Sequence, residues 1–475
     1  MAFRNLIGGE WVDGPVQANI NPSDLSDVIG EYGRADAAQA RHALAAARAA
    51  FPGWSRTNIQ QRAEMLDRVG SEILARRSEI ADMLSREEGK TLAEASGEVV
   101  RAGNTFKFFA GEALRTPGDC PGSVRDGVDV LVTREPLGVV SLITPWNFPI
   151  AIPAWKVAPA LAFGNCVVLK PADLVPGCAW LMADIIHRAG APAGVFNLVM
   201  GRGREVGDVL VDAGVDAVSF TGSTGVGASV RRRAAEHNIR TQLEMGGKNP
   251  LVVLADANLD KAAAIACDGG YGATGQRCTA SSRLIVEDSV HDAFVERLVE
   301  RLGRIVVGDA RAPDTVMGPV VSEGQLAQNL RYVAGAQAEG ARLALGGEAV
   351  TRATTGHYMT PALLTDTSPE MTINREEVFG PVVSVIRARD YDAALALAND
   401  TPFGLSAGIC TASIARALDF RRNAQAGQVM INLPTAGVDY HVPFGGRKAS
   451  SHGPREQGRT AAEFYTTVKT AYFAG

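Results

Sequence analysis

The stretch Phe220-Thr221-Gly222-Ser223-Thr224-Gly225-Val226-Gly227 ends one kind of structure and begins another. Residues 217–220 before it form a short apolar, strand-like run, and residues 224–235 after it carry helical spacing. Small residues at such a junction leave backbone N–H groups free at a helix start, where a phosphate finds donors and the positive end of the helix dipole. A plain tight turn accounts for the same glycines equally well. No G-x-G-x-x-G follows the first strand of the series, so an ordinary dinucleotide fingerprint is absent.

The same strand–helix rhythm extends upstream: 139–143 then 152–161, 166–169 then 180–188, 196–199 then 206–212. Alternation of this kind predicts a parallel, doubly wound α/β sheet that binds ligands at the C-terminal ends of its strands. A second αβ series runs from residue 251 to about 431, with strands at 283–286, 382–386, 406–409 and 429–432 and helices at 292–304 and 391–398. Residues 35–51 and 58–115 read as an amphipathic helical layer, for example through Met65, Val69, Ile73 and Leu74. Leu6, Ile7, Trp11 and Val12 suggest a strand pair at the start. Residues 124–133 alternate through Val124, Val128, Val130 and Val132 and read as strands outside the main sheet. The aromatic, alternating segment 464–473 is suited to pairing with a neighbour's sheet edge.

A chain of 475 residues, 46% apolar, is too long for one ordinary core and predicts two or three domains. A net charge of −5 with dispersed basic residues leaves no footprint for nucleic acid or an anionic membrane, so small molecules and copies of the chain itself are the expected partners. The N-terminus lacks a signal-peptide pattern, and no apolar run reaches 18 residues. The six cysteines, at 120, 166, 178, 267, 278 and 410, form no C-x-x-C pair, which fits free thiols in a reducing cytoplasm and no metal site. Seven scattered histidines, without H-E-x-x-H or a nucleophile elbow, speak against metal and serine hydrolase chemistry.

Reactive groups stand in three motifs. Gly275-Gln276-Arg277-Cys278-Thr279-Ala280 sets a cysteine among small and polar neighbours directly after a cation, which is expected to lower the thiol pKa; a buried packing cysteine is the alternative. Leu243-Glu244-Met245-Gly246-Gly247-Lys248-Asn249-Pro250 offers a carboxylate, and Pro145-Trp146-Asn147-Phe148-Pro149 an amide. With Glu376-Glu377-Val378-Phe379-Gly380-Pro381 and Pro443-Phe444-Gly445-Gly446, in this order, the chain resembles the aldehyde dehydrogenase superfamily over essentially its whole length.

That resemblance implies two doubly wound αβ domains with a β-arm. Residues 1–117 and 137–247 would form the dinucleotide-binding domain, 248–448 the catalytic domain, and 118–136 with 462–475 the arm that joins subunits of a homodimer or homotetramer. Cys278 is then the nucleophile, Asn147 and the Cys278 backbone N–H hold the developing oxyanion, and Glu244 activates the water that hydrolyses the thioester. Phosphorylating and coenzyme A-acylating relatives need no such base, so Glu244 favours a carboxylic acid product. The pyrophosphate falls to Gly222, Ser223 and Gly227, with Trp146 and Met245 bordering the same site. Lys170 and Asp173 fall at the adenosine ribose, and Gln325, Glu377 and Phe379 at the nicotinamide end. An acidic Asp173 favours NAD by repelling a 2′-phosphate, but its short side chain leaves NADP as the alternative.

Phe148, Trp155 and Phe444 match the family's access tunnel. Arg277 is read either as a holder of a substrate carboxylate or as half of an internal ion pair. The stretches 150–156, 170–177 and 432–448 resemble the branch of the family that oxidises 2-oxoglutarate semialdehyde to 2-oxoglutarate. Succinate semialdehyde and aromatic or aliphatic aldehydes are the rival substrates, and a non-catalytic binding protein on this fold is the rival from another class. After Gly446 the chain reads Arg447-Lys448-Ala449-Ser450-Ser451, where most of the superfamily carries a serine–glycine pair.

Overall fold

The computed structural model describes residues 2–116, 118–212 and 214–474; the expected domain limits at residues 1, 117 and 475 lie outside them. Two large sheets organise the chain. The first has eight strands in the spatial order Ser451–His452, Arg240–Glu244, Ala217–Thr221, Val139–Ile143, Cys166–Lys170, Phe196–Leu198, Asn5–Ile7 and Glu10–Val12. Its five central strands are parallel, as the strand–helix alternation predicts. Both edges are antiparallel and lie outside the strand–helix series: the expected N-terminal strand pair closes one side and Ser451–His452 the other. The second sheet has seven strands, in the order Arg342–Leu345, Ala362–Thr365, Val382–Ala388, Ser281–Glu287, Asn249–Val253, Ser406–Cys410 and Gln428–Ile431, all parallel except the first pair.

Each sheet has its own apolar interior. One cluster joins Leu6, Val69, Phe106, Val140, Leu169 and Phe464; the others, from Leu251, Leu284 and Phe294 to Ile409 and Phe420, belong to the second sheet. The central strands are buried on both faces, so they read as continuous apolar runs rather than alternating ones.

Four local departures from the sequence reading have physical causes. Val16–Asn21 and Asp24–Gly33 form a separate two-stranded ribbon before the helical layer, its half-exposed residues giving little apolar signal. The helix expected at 206–212 is a π-helical turn, Gly203–Gly207, followed by Val209–Asp212, because two glycines interrupt the helical run. The arm strand runs Val128–Pro136, and the last strand, Thr466–Ala474, pairs with it inside the same chain from Thr466↔Pro136 to Ala474↔Val128. Phe464 and Tyr465, read as strand, instead close the short helix Ala462–Tyr465 and are buried in the first core.

The strand order reverses between Val139–Ile143 and Ala217–Thr221. In an open parallel sheet this is where chain ends diverge and leave a crevice. The loop carrying Trp146 and Asn147 and the turn carrying Gly222 and Ser223 leave the sheet there, opposite the second sheet's loops.

Candidate active site

Cys278 lies in a tight loop between the helix Leu259–Tyr271 and the strand Ser281–Glu287. Ala273, Thr274 and Gly275 all take positive φ, of 49°, 56° and 66°. Gly275 is required there twice over, because a Cβ would also run into the Gly380 carbonyl. Downstream, the Asn249 amide donates to the Cys278 carbonyl at 2.8 Å and to the Ala280 carbonyl at 2.9 Å, fixing the loop to the second sheet. Two cavities meet at this cysteine, one of about 290 Å³ and one of about 240 Å³.

Pro145, Trp146, Asn147, Thr221, Gly222, Ser223, Met245, Gln325, Glu377 and Phe379 line the larger cavity together with Cys278. Gly222 and Ser223 stand at the start of the helix Thr224–Glu236, and the Thr221 hydroxyl is buried with no hydrogen-bond partner. Trp146 and Phe379 meet edge to face at 5.3 Å, and Phe379 holds a left-handed φ of 60°, a costly geometry for a bulky residue that loop contacts must maintain. Gln325 provides some of them: its amide donates to the carbonyls of Val378 and Phe379 at 3.1 and 2.9 Å. Glu377 accepts from the Gly247 N–H at 2.8 Å, and burial raises its pKa to about 7. A cleft with free helix-start N–H groups, aromatic walls, an orphaned hydroxyl and a carboxylate fits a nicotinamide dinucleotide.

The smaller cavity is lined by Phe148, Trp155, Phe444, Lys90, Arg101 and Arg277, among others. Trp155 and Phe444 stack at 5.4 Å, and the Lys90 ammonium stands 4.0 Å from the Phe148 ring centre. Lys90 also donates to the Asn147 carbonyl at 2.7 Å, while the Asn147 amide donates to the Gln276 carbonyl at 3.0 Å. One Asn147 amide hydrogen is left beyond that bond, on the wall of the larger cavity that Cys278 also lines.

Glu244 ends the strand Arg240–Glu244 and lines neither cavity. Its Oε2 accepts from the Ser451 hydroxyl at 2.5 Å, and that hydroxyl in turn accepts from the Gly446 N–H at 2.6 Å. Burial, and then the charge of Glu456, push the Glu244 pKa well above the usual carboxylate range, with Ser451 pulling the other way. Glu456 is itself paired with the buried Lys156.

The whole-chain comparisons agree with this geometry. The model of the aldehyde dehydrogenase family matches residues 11–471. The chain belongs to the aldehyde dehydrogenase family. It is similar to alpha-ketoglutarate semialdehyde dehydrogenase of Haloferax volcanii, with 44% identity over 99% of this chain and 98% of that one. It is 43% identical to the alpha-ketoglutaric semialdehyde dehydrogenase of Bacillus subtilis, again over 99% and 98% of the two chains. Betaine aldehyde dehydrogenase of Staphylococcus aureus, solved in complex with NAD+, superposes with a TM-score of 0.97 at 34% identity, over 100% of this chain and 95% of that one. The NAD-dependent aldehyde dehydrogenase of Sinorhizobium meliloti gives 0.97 at 38%, with the same coverage. The family assignment, the two-sheet α/β fold and enzymatic aldehyde oxidation all follow.

Within this aldehyde dehydrogenase, most of the residues singled out from the sequence are gathered around Cys278, but Lys170, Asp173 and Gly227, like Glu244, are not in the cavity walls. Lys170, buried at the end of Cys166–Lys170, donates to the carbonyl of its neighbour Pro171 at 2.9 Å, and burial lowers its pKa. Asp173 is exposed nearby, and Gly227 backs the site instead, since a Cβ there would meet the Met245 side chain.

The expected lowering of the Cys278 thiol pKa is corrected. Burial raises it to about 12, and Glu377 and Glu244 add to the effect. The Arg277 guanidinium is turned to Glu94 at 3.5 Å, so the internal ion pair is present even though Arg277 lines the cavity. Sequence reading missed Lys90, Arg101, Gln328 and Ser451. For Gln328 a signal existed, because it follows Gln325 by three on one helical face.

Proposed function

We propose that this aldehyde dehydrogenase oxidises 2-oxoglutarate semialdehyde to 2-oxoglutarate with NAD+, through a thioester on Cys278 that water hydrolyses. One observation carries the reading: two cavities converge on a single cysteine, one built for a dinucleotide and one lined by both aromatic rings and cations. The names of the Haloferax volcanii and Bacillus subtilis relatives support the semialdehyde, and the NAD+ complex of the Staphylococcus aureus structure supports the cofactor.

In this reading Gly222 and Ser223 offer N–H groups to the pyrophosphate. Lys170 and Asp173 serve the adenosine ribose, and Trp146, Met245, Gln325, Glu377 and Phe379 hold the nicotinamide end. The bound cofactor supplies a hydride acceptor. Cys278, once its proton is lost, adds its sulfur to the aldehyde carbon, and the Asn147 amide and Cys278 N–H stabilise the oxyanion, each donor worth about 100–1,000-fold in rate. After oxidation the acyl group stays on the sulfur as a thioester. Glu244, whose carboxyl pKa burial raises, takes a proton from water in its ionised form, and the water oxygen adds to the acyl carbon and displaces the thiolate. Because Glu244 lines neither cavity, its carboxyl must turn from Ser451 toward the thioester.

Residues 1–117 and 137–247 act as the dinucleotide-binding domain and 248–448 as the catalytic domain, each organised around one of the two sheets. The arm, 118–136 with 462–475, joins copies into a dimer or tetramer; Val468, Tyr472 and Phe473 on it are 56%, 60% and 53% exposed and need cover. Six free cysteines suit work in the cytoplasm, and among the described residues no helix is long and apolar enough to cross a membrane.

Initial rates of NAD+ and NADP+ reduction with 2-oxoglutarate semialdehyde, succinate semialdehyde, hexanal and benzaldehyde test the proposal, beside Cys278→Ala. The semialdehyde of 2-oxoglutarate is expected to lead in kcat/KM by about tenfold, roughly 1.4 kcal/mol of transition-state preference, and NAD+ over NADP+. A lead for hexanal or benzaldehyde would remove the substrate assignment.

A further inference from the structure

Three cations line the smaller cavity, and they differ in what already balances them. Lys90 lies 2.7 Å from Glu98 and 3.9 Å from Glu88. Arg277 lies 3.5 Å from Glu94, a carboxylate whose other tasks, at Thr91 and the Ala273 N–H, hold it in place. Arg101 has no carboxylate partner among the described residues. Its guanidinium donates only to neutral acceptors, the Val438 carbonyl and, at 2.9 Å, the Gln457 side-chain carbonyl. Its Nε is buried with no acceptor.

The local structure directs this cation into the cavity. A capping box at Thr91 and Glu94 starts the helix Leu92–Ala113, and the spacing 94, 97, 98, 101 puts Glu94, Gly97, Glu98 and Arg101 on one face, all of them lining the cavity. The opposite face, with Val99, Ala102 and Phe106, is in the core, so the helix cannot rotate Arg101 away. The guanidinium stands 5.4 Å from the centre of the Trp155 ring, which is stacked on Phe444. Burial pulls the Arg101 pKa down, and the carboxylates of Glu98 and Asp439, both beyond ion-pair distance, offset this only in part. An enclosed cation of this kind is costly unless an anion joins it, and a planar guanidinium with unspent hydrogens matches a carboxylate.

We propose that Arg101 is the specificity residue that binds the substrate's carboxylate, and that Arg277, already held by Glu94, is not. The assignment rests on the semialdehyde reading above and names the group that enforces it. It also explains why an enzyme with an aromatic substrate cavity would prefer a charged aldehyde: the rings hold the carbon chain while Arg101 selects its far group.

The test compares 2-oxoglutarate semialdehyde with pentanal, a neutral aldehyde of the same carbon count, in the wild type, Arg101→Met, Arg101→Lys and Arg277→Met. The quantity read is the ratio of the two kcat/KM values. The wild type should favour the semialdehyde. Arg101→Met should cut that preference about 10–100-fold, the usual worth of a hydrogen-bonded charge, with most of the loss in KM. Arg101→Lys should regain part of it, and Arg277→Met should move the ratio less than Arg101→Met does. A purely structural role, through the Val438 and Gln457 bonds, would depress both aldehydes alike and leave the ratio unchanged. A wild-type ratio in Arg101→Met, or a larger fall in Arg277→Met, overturns the inference while the semialdehyde reading stands. A wild type indifferent to the two aldehydes overturns the semialdehyde reading and the inference with it. Should Arg101→Met fail to fold, Arg101→Gln, which keeps a donor toward Val438, gives the same ratio to read.

Discussion

At the residue scale, the chemistry of Cys278 depends on what surrounds it more than on what precedes it. Adjacent in sequence, Arg277 promises a low thiol pKa; in space its charge is given to Glu94, and burial with two nearby carboxylates sends the pKa up to about 12. The thiolate fraction should therefore grow about tenfold per pH unit across the working range, because the thiol stays below its pKa throughout. Iodoacetamide inactivation of the cofactor-free enzyme should accelerate steadily between about pH 6 and 10, and a plateau near neutrality would contradict the raised pKa. The identities of Cys278, Glu244 and Asn147 were legible in the sequence because each sits in a motif whose small or proline neighbours mark it. Arg101 and Ser451 were not legible. Their partners are distant in sequence, Val438 and Gln457 for one and Glu244 for the other, and no local pattern predicts such pairs.

At the scale of elements, the strand–helix alternation identified the parallel centre of the first sheet, since strands buried on both faces leave continuous apolar runs. It did not reveal the antiparallel edge Ser451–His452, a two-residue strand too short to carry any period. The nucleophile loop carries three successive left-handed residues, Ala273, Thr274 and Gly275. Gly275→Ala adds a Cβ at φ 66° and presses it on the Gly380 carbonyl. It should cost about 1–3 kcal/mol of stability, seen as a lower Tm, and displace Cys278 enough to reduce kcat about 100-fold. Wild-type kcat in a fully folded Gly275→Ala protein would show that the loop geometry does not position the sulfur.

At the scale of the molecule, two sheets with separate cores meet where their loops bring Asn147 and Cys278 to one cavity, and a paired arm lies outside both. The arm leaves Val468 and Tyr472 uncovered within one chain, so Val468→Asp with Tyr472→Asp should shift the protein toward monomer in light scattering. An unchanged assembly would place the subunit contact elsewhere. The account's central claim is that acyl transfer passes through Cys278 and is completed by Glu244. Intact-mass spectrometry of Glu244→Gln, mixed with NAD+ and 2-oxoglutarate semialdehyde, tests it most directly. The account predicts one acyl group per chain, mapped to Cys278 and absent when Cys278 is also replaced by Ala. Full turnover without any adduct, or an adduct on another residue, would contradict it.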